Sequence, residues 1–165
     1  MKIVILGGTG LIGKALQKSF SNEHQVYCLN REAFQSVEHL ASLVEGSDLV
    51  IQLSGSTISK RWSNKVVKEM WQSRVNTNQM LSEAVKSLST KPRVICASGI
   101  SFYAESSCND PKTEEDPKGE GYLTNLNIAI EDAAKSISDD VIILRFGVVL
   151  SRHGGALQKL YWPYY

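Results

Sequence analysis

The strongest chemical signal in this chain is a set of three glycines near its start. Gly7, Gly10 and Gly13 follow the spacing G-x-x-G-x-x-G within Gly7-Gly8-Thr9-Gly10-Leu11-Ile12-Gly13. The apolar run Lys2-Ile3-Val4-Ile5-Leu6 precedes them, short enough to be a strand buried on both faces, and a helical pattern follows at once. A strand, a glycine-rich turn and a helix in immediate succession bind a dinucleotide pyrophosphate. Gly7 permits a tight exit from the strand, Gly10 a close approach of backbone to phosphate, and Gly13 close packing of helix on strand. The start of the helix offers free N–H groups and a positive dipole end to the anion.

A second signal lies at the end of the next strand, about twenty positions past the glycine turn. An acid there bonds the ribose 2′-hydroxyl of NAD, whereas an arginine accommodates the 2′-phosphate of NADP. Asn30 and Arg31 stand at this point, and Glu32 comes one place too late. The expected cofactor is therefore NADP(H) in preference to NAD(H). Further on, Ser54-Gly55-Ser56 and Ser98-Gly99 each follow a buried apolar run. In open α/β sheets the carboxyl ends of the strands line the ligand crevice.

The elements that must hold these residues alternate from end to end. Residues 11–20 carry apolar side chains on one helical face, at Leu11, Ile12, Ala15, Leu16 and Phe20. Residues 25–29 form a second strand, parallel to the first because a helix joins the two. Ala33-Phe34-Gln35 has room for a very short edge strand, and Ser36 caps a helix to about residue 44. Residues 48–53 form another strand. Ser63 caps the longest helix, from about 65 to 87, with Val66, Met70, Val75, Met80, Leu81, Ala84, Val85 and Leu88 on its buried side. Strands at 93–97 and 141–145 flank a polar loop, 101–121, and a helix from 122 to about 136. His24 reads as a solvated turn residue and His39 as an outward-facing one. The fold class is α/β, a Rossmann-type doubly wound parallel sheet in three layers, α/β/α.

Composition sets wide bounds. The 165 residues make one domain, 42% hydrophobic and 21% charged, with a formal net charge of +1. That balance gives no reason to expect nucleic acid or an acidic membrane surface as a partner. Cys28, Cys96 and Cys108 show no metal-ligand spacing, so no metal is expected, and free thiols fit a reducing compartment. With no signal-peptide pattern and no run of membrane-spanning length, the expected location is cytoplasmic.

These residues resemble the extended short-chain dehydrogenase/reductase superfamily, the NAD(P)-dependent epimerase/dehydratase group, and within it the branch labelled nucleoside-diphosphate-sugar epimerase. Its landmarks here are the glycine motif, Leu53-Ser54-Gly55, Lys60-Arg61-Trp62, Ser73-Arg74-Val75, Ala97-Ser98-Gly99 and Phe102-Tyr103. Leu144-Arg145-Phe146-Gly147-Val148-Val149-Leu150 and Gly154-Gly155-Ala156-Leu157, the latter read as the start of a helix, complete the set. The likeness covers about residues 2–160 and implies roles. Leu11 and Ile12 offer backbone N–H groups to the pyrophosphate, with Gly7, Thr9, Gly10 and Gly13 forming the turn. Leu53, Ser54, Gly55 and Ala97 pass beside the cofactor, and Ser98 hydrogen-bonds the reacting substrate oxygen as the catalytic serine.

Two departures accompany the resemblance. Counted from the landmark acid Glu131, the catalytic Tyr-x-x-x-Lys pair is replaced by Leu123 and Asn127, and Tyr122 lies one residue off, turned about 100° away on a helix. Extended members also run to roughly twice this length. A C-terminal substrate domain is therefore expected to be missing after residue 160, where the chain finishes in Tyr161-Trp162-Pro163-Tyr164-Tyr165. The resemblance implies an NADP(H)-binding oxidoreductase or epimerase acting on a sugar-nucleotide or similar carbonyl/alcohol substrate. The competing expectation is a non-catalytic NADP(H)-binding sensor or interaction protein. An exposed apolar sheet edge would favour self-association.

Overall fold

The computed structural model describes residues 1–105 and 109–161, with side chains described up to Gln158. Cys108 and residues 162–165 of the aromatic tail lie outside the described residues. Five parallel strands form one sheet: β1 (Lys2–Leu6), β2 (Gln25–Leu29), β3 (Leu49–Gln52), β4 (Arg93–Gly99) and β5 (Ile142–Phe146). Their order is β2-β1-β3-β4-β5. The chain crosses to one side of β1 and then to the other, so the switch in strand order falls between β1 and β3, where a ligand crevice opens.

The strand register explains both cores. Ile3 and Ile5 align with Val26 and Cys28 on one side and with Leu49 and Ile51 on the other, all on one face of the sheet. Helix α1 (Leu11–Phe20) covers that face with Leu16 and Phe20. Val4, Leu6, Val50, Val94 and Cys96 point to the opposite face. There they meet Leu40 and Val44 of α2 (Val37–Val44), Leu81, Ala84 and Val85 of α4 (Thr77–Ser87), and Ala134 of α5 (Tyr122–Lys135). This is the expected three-layer α/β/α arrangement, and β1 and β3 are apolar at successive positions because helices cover both faces.

Several elements differ from the sequence reading. The expected edge strand at Ala33-Phe34-Gln35 is a 3-10 turn over Arg31–Phe34 instead. Asn30 O accepts from Ala33 N at 3.0 Å, and Ala33 is buried with Phe34 beside it in the α2 core. Ser36 Oγ accepts from His39 N at 3.1 Å to cap α2, which leaves no chain length for a strand. The long helix is not continuous. Helix α3 (Asn64–Trp71), capped by Ser63, passes through a π-turn at Gln72–Asn76 before α4 begins. Ser98 and Gly99 belong to β4 rather than to the loop beyond it. Gly154 and Gly155 form strand β7 of a small hairpin with β6 (Leu150–Ser151), so α6 starts only at Ala156. His39 is exposed as expected, but His24 is half-buried against Phe20, ring centroids 6.2 Å apart.

Candidate functional site

The glycine turn is built by close approach. Gly7 and Gly8 both donate to Leu29 O, at 2.8 and 3.2 Å, which ties the turn to the end of β2. Gly7 has φ +84, and a Cβ there would lie 2.9 Å from the backbone of Leu53 and Ser54. A Cβ on Gly13 would lie 2.6 Å from Gly8 Cα and 2.7 Å from Gly7 O, so the helix packs directly on the turn. Gly10 caps α1, and the first turn carries no acid to oppose an anion. The N–H groups of Leu11, Ile12 and Gly13 have no helical carbonyl behind them and point out of the helix end.

Two cavities open along the carboxyl edge of the sheet. The first, about 430 Å³, is lined by Gly7, Thr9, Gly10, Asn30, Arg31 and Leu53-Ser54-Gly55, among others. The second, about 530 Å³, shares Leu53-Ser54-Gly55 with it and continues to Ala97, Ser98, Leu123 and Asn127. Of the expected site residues, Gly7, Thr9, Gly10, Asn30, Arg31, Leu53, Ser54, Gly55, Ala97 and Ser98 thus fall along one connected groove. Leu11, Ile12 and Gly13 line neither cavity.

At the outer end of the first cavity the structure adds an acid that the sequence did not place there. Glu69 of α3 lies 3.6 Å from Arg31 Nη2 and 3.4 Å from Lys60 Nζ. The Arg31 side chain is 88% exposed, so this pair holds it weakly. Arg31 and Lys60 therefore stand as two available cations on either side of Glu69.

At the inner end, Ser98 Oγ donates to Glu131 Oε1 at 2.8 Å. The Glu131 side chain is 2% exposed and pairs with Arg145 through two bonds, Nε to Oε1 at 2.7 Å and Nη2 to Oε2 at 2.8 Å. Arg145 Nη1 also donates to the Tyr103 hydroxyl at 2.6 Å, and its guanidinium lies 3.6 Å over the Phe102 ring. Burial alone would raise the Glu131 pKa, but the hydrogen bonds from Arg145 and Ser98 outweigh it and hold the carboxyl below its ordinary value. The proton of Ser98 is committed to Glu131, while its oxygen can still accept a hydrogen bond.

Leu123 and Asn127, where the resemblance implies a Tyr-x-x-x-Lys pair, both line the second cavity. Asn127 donates to Gly99 O at 3.2 Å. Tyr122 turns away from the groove: its hydroxyl donates to Val67 O at 3.0 Å and its ring packs edge-on against Trp62. Arg74 is the sole ionisable side chain among the described residues that line the second cavity.

The comparisons with known proteins agree with this geometry. The family model "NAD dependent epimerase/dehydratase family" matches residues 3–156. The chain belongs to this family. Among its curated relatives, the human epimerase family protein SDR39U1 is 30% identical over 99% of this chain and 60% of its own length. Epimerase family protein SH2119 of Staphylococcus haemolyticus is 28% identical, with the same coverage. Among solved structures, human SDR39U1 (isoform 2) with NADPH superimposes with a TM-score of 0.84 at 27% identity, covering 99% of this chain and 59% of that one. A nucleoside-diphosphate sugar epimerase from Corynebacterium glutamicum gives 0.81 at 27% identity, with 99% of this chain and 37% of that one covered. The chain thus spans about 60% of the length of the curated family members it matches. No helix among the described residues is long and apolar enough to cross a membrane.

Proposed function

We propose that this chain is the NADP(H)-holding part of an oxidoreductase or epimerase acting on a sugar-nucleotide or related carbonyl/alcohol substrate. The observation that carries this reading is the connected groove from the Gly7–Gly13 turn to Ser98. The fit to a dinucleotide rests on the glycine contacts: Cβ atoms at Gly7 and Gly13 would collide with backbone, which leaves the turn flat against the helix start. Gly7, Thr9, Gly10 and the N–H groups of Leu11, Ile12 and Gly13 hold the pyrophosphate. Asn30 and Arg31 take the adenosine ribose with its 2′-phosphate, and Leu53, Ser54, Gly55 and Ala97 flank the remainder. A bound nicotinamide supplies hydride acceptance and donation at the inner end. The oxygen of Ser98 accepts from a substrate hydroxyl there, oriented by Glu131. The NADPH-bound human relative supports the choice of cofactor.

A titration followed by nucleotide fluorescence tests the cofactor preference. NADPH binds more tightly than NADH, and Arg31→Ala weakens NADPH by about tenfold, the scale of one lost charge-assisted hydrogen bond, while leaving NADH unchanged. Tighter binding of NADH by the wild-type chain overturns the preference.

A second reading, a non-catalytic NADP(H)-binding sensor, is favoured by one observation: no carboxylate, histidine, cysteine, tyrosine or lysine among the described residues lines the second cavity. NADPH consumption with a panel of carbonyl substrates separates the two readings. Turnover that Ser98→Ala abolishes supports the enzyme. Tight NADPH binding without turnover supports the sensor.

A further inference from the structure

The second cavity holds polar groups that the fold itself leaves unused. Gln52 is 3% exposed; its Oε1 accepts from Ser54 N at 3.0 Å, while its Nε2 has no partner. Asn78 is 2% exposed; its Nδ2 donates to Ile130 O at 3.2 Å, while its Oδ1 has no partner. The backbone bond at the other end of each amide fixes its orientation, so Gln52 presents a donor and Asn78 an acceptor. Arg74 lines the same cavity. Its Nη2 donates to Ser56 O at 2.7 Å and its Nη1 to Met70 O at 3.4 Å, both neutral carbonyls. No carboxylate among the described residues pairs with it, and burial lowers its pKa.

The placement of Arg74 follows from the π-turn. Met70 and Val75 are both buried, five positions apart, and the extra residue between them carries Arg74 against Gly55. A Cβ on Gly55 would lie 2.9 Å from Arg74 Cζ. Single π-turns of this kind cost helix regularity and concentrate at functional sites. Each unsatisfied buried amide group costs about 1–3 kcal/mol. Two such groups beside a cation with no counter-ion are therefore a set of costs that a ligand relieves.

We propose that this end of the cavity is a subsite for a carboxylate-bearing substrate with a hydroxyl beside the carboxylate. The carboxylate accepts from Arg74 and from Gln52 Nε2, and the hydroxyl donates to Asn78 Oδ1. One cation lines the cavity among the described residues, so a monoanion balances it; a phosphate dianion would leave one negative charge that Arg74 does not offset. Arginine also matches the planar carboxylate with paired N–H groups. The proposal rests on the oxidoreductase or epimerase reading above for the statement that this ligand is a substrate.

Calorimetric titration with glycolate as the probe tests it, in the presence of saturating NADP⁺ and again with no nucleotide. Glycolate binds the wild-type chain, acetate binds less tightly, and inorganic phosphate does not displace glycolate at a pH where phosphate is a dianion. Arg74→Met weakens glycolate by about tenfold or more, and Arg74→Lys retains part of the affinity. Gln52→Glu, close in shape to the original, still accepts from Ser54 N, supplies its own carboxylate in place of Nε2 and abolishes glycolate binding even if Arg74→Met fails to fold. NADPH affinity, measured on the same samples, is unchanged in all variants. The proposal is overturned by a wild-type chain that does not bind glycolate, by phosphate binding more tightly than glycolate, or by an Arg74→Met variant that binds as wild type. It is overturned equally if Arg74→Met weakens NADPH instead, which would assign the guanidinium to the cofactor. Failure of NADPH to bind the wild-type chain is a separate result: it removes the cofactor reading, while the nucleotide-free titration still reads the cavity.

Discussion

Glu131 shows how one buried carboxylate organises the inner end of the groove. It holds Ser98 on one side and Arg145 on the other, and Arg145 in turn holds Tyr103. Removing one member of a buried ion pair leaves the other charge uncompensated and costs about 3–5 kcal/mol. Glu131→Gln should therefore lower the thermal midpoint by roughly 6–20 °C at neutral pH, taking about 2–4 °C per kcal/mol for a chain of this size. The same residue sets an acid dependence. Its folded pKa is depressed below the unfolded value, so the pair contributes stability above the unfolded value, about 4.3, and loses it as pH falls through the folded one. Chemical denaturation at a series of acidic pH values should show the wild-type chain losing stability over that window and Glu131→Gln losing less. The departure from the Tyr-x-x-x-Lys pair that the resemblance implies is a reading of the sequence alone, because Leu123 and Asn127 are individual letters at counted positions. The Arg145–Glu131 pair was not, since an arginine in a strand and an acid in a helix meet only through packing.

At the scale of the element, the glycine turn separates packing from binding. A Cβ at Gly13 collides with the backbone of Gly7 and Gly8, so Gly13→Ala should destabilise the fold by about 1–3 kcal/mol and lower nucleotide affinity with it. Gly10 has φ −72, and a Cβ there meets only Gly7 O, at 3.2 Å. Gly10→Ala should keep the melting temperature within about 2 °C of wild type, the scale of half a kcal/mol, yet weaken NADPH by about tenfold. Melting curves with and without nucleotide check both variants. Loss of stability equal to that of Gly13→Ala would assign Gly10 to packing. The glycine spacing, the strand before it and the helix after it were readable because each has a local pattern. The π-turn had a signal too: Met70 and Val75 lie five apart, a step that a regular helix places off its buried face. The 3-10 turn at Arg31–Phe34 had none, because it depends on how Ala33 and Phe34 pack under α2.

Across the whole molecule, the two faces of the sheet are covered unequally. Helices α2, α4 and α5 pack on one face, whereas α1 covers the other only near β1, β2 and β3. Ile142 and Leu144 of β5 share that second face through their register with Ile95 and Ala97, and they are 41% and 43% exposed. Val148 and Leu150 beyond them are more exposed still. β5 also ends the sheet among the described residues, which leaves a row of its backbone N–H and C=O groups without a described partner strand. Curated relatives are longer by about two fifths of their own length, so chain beyond that matched here exists in them. Among the described residues nothing covers this apolar face or pairs with this strand edge, and we propose a second copy of the chain as the occupant that both accept. Full burial of an exposed side chain of this kind contributes about 1.5–3 kcal/mol. Ile142 and Leu144, already more than half buried, contribute about half of that each, the scale of a weak dimer when Val148 and Leu150 join them. Sedimentation velocity should show a concentration-dependent shift toward dimer in the wild-type chain. Leu144→Lys should shift it back toward monomer without altering NADPH affinity, because Leu144 lines neither cavity. A wild-type chain that stays monomeric at the highest soluble concentration would show that partial exposure of these residues is tolerated without a partner.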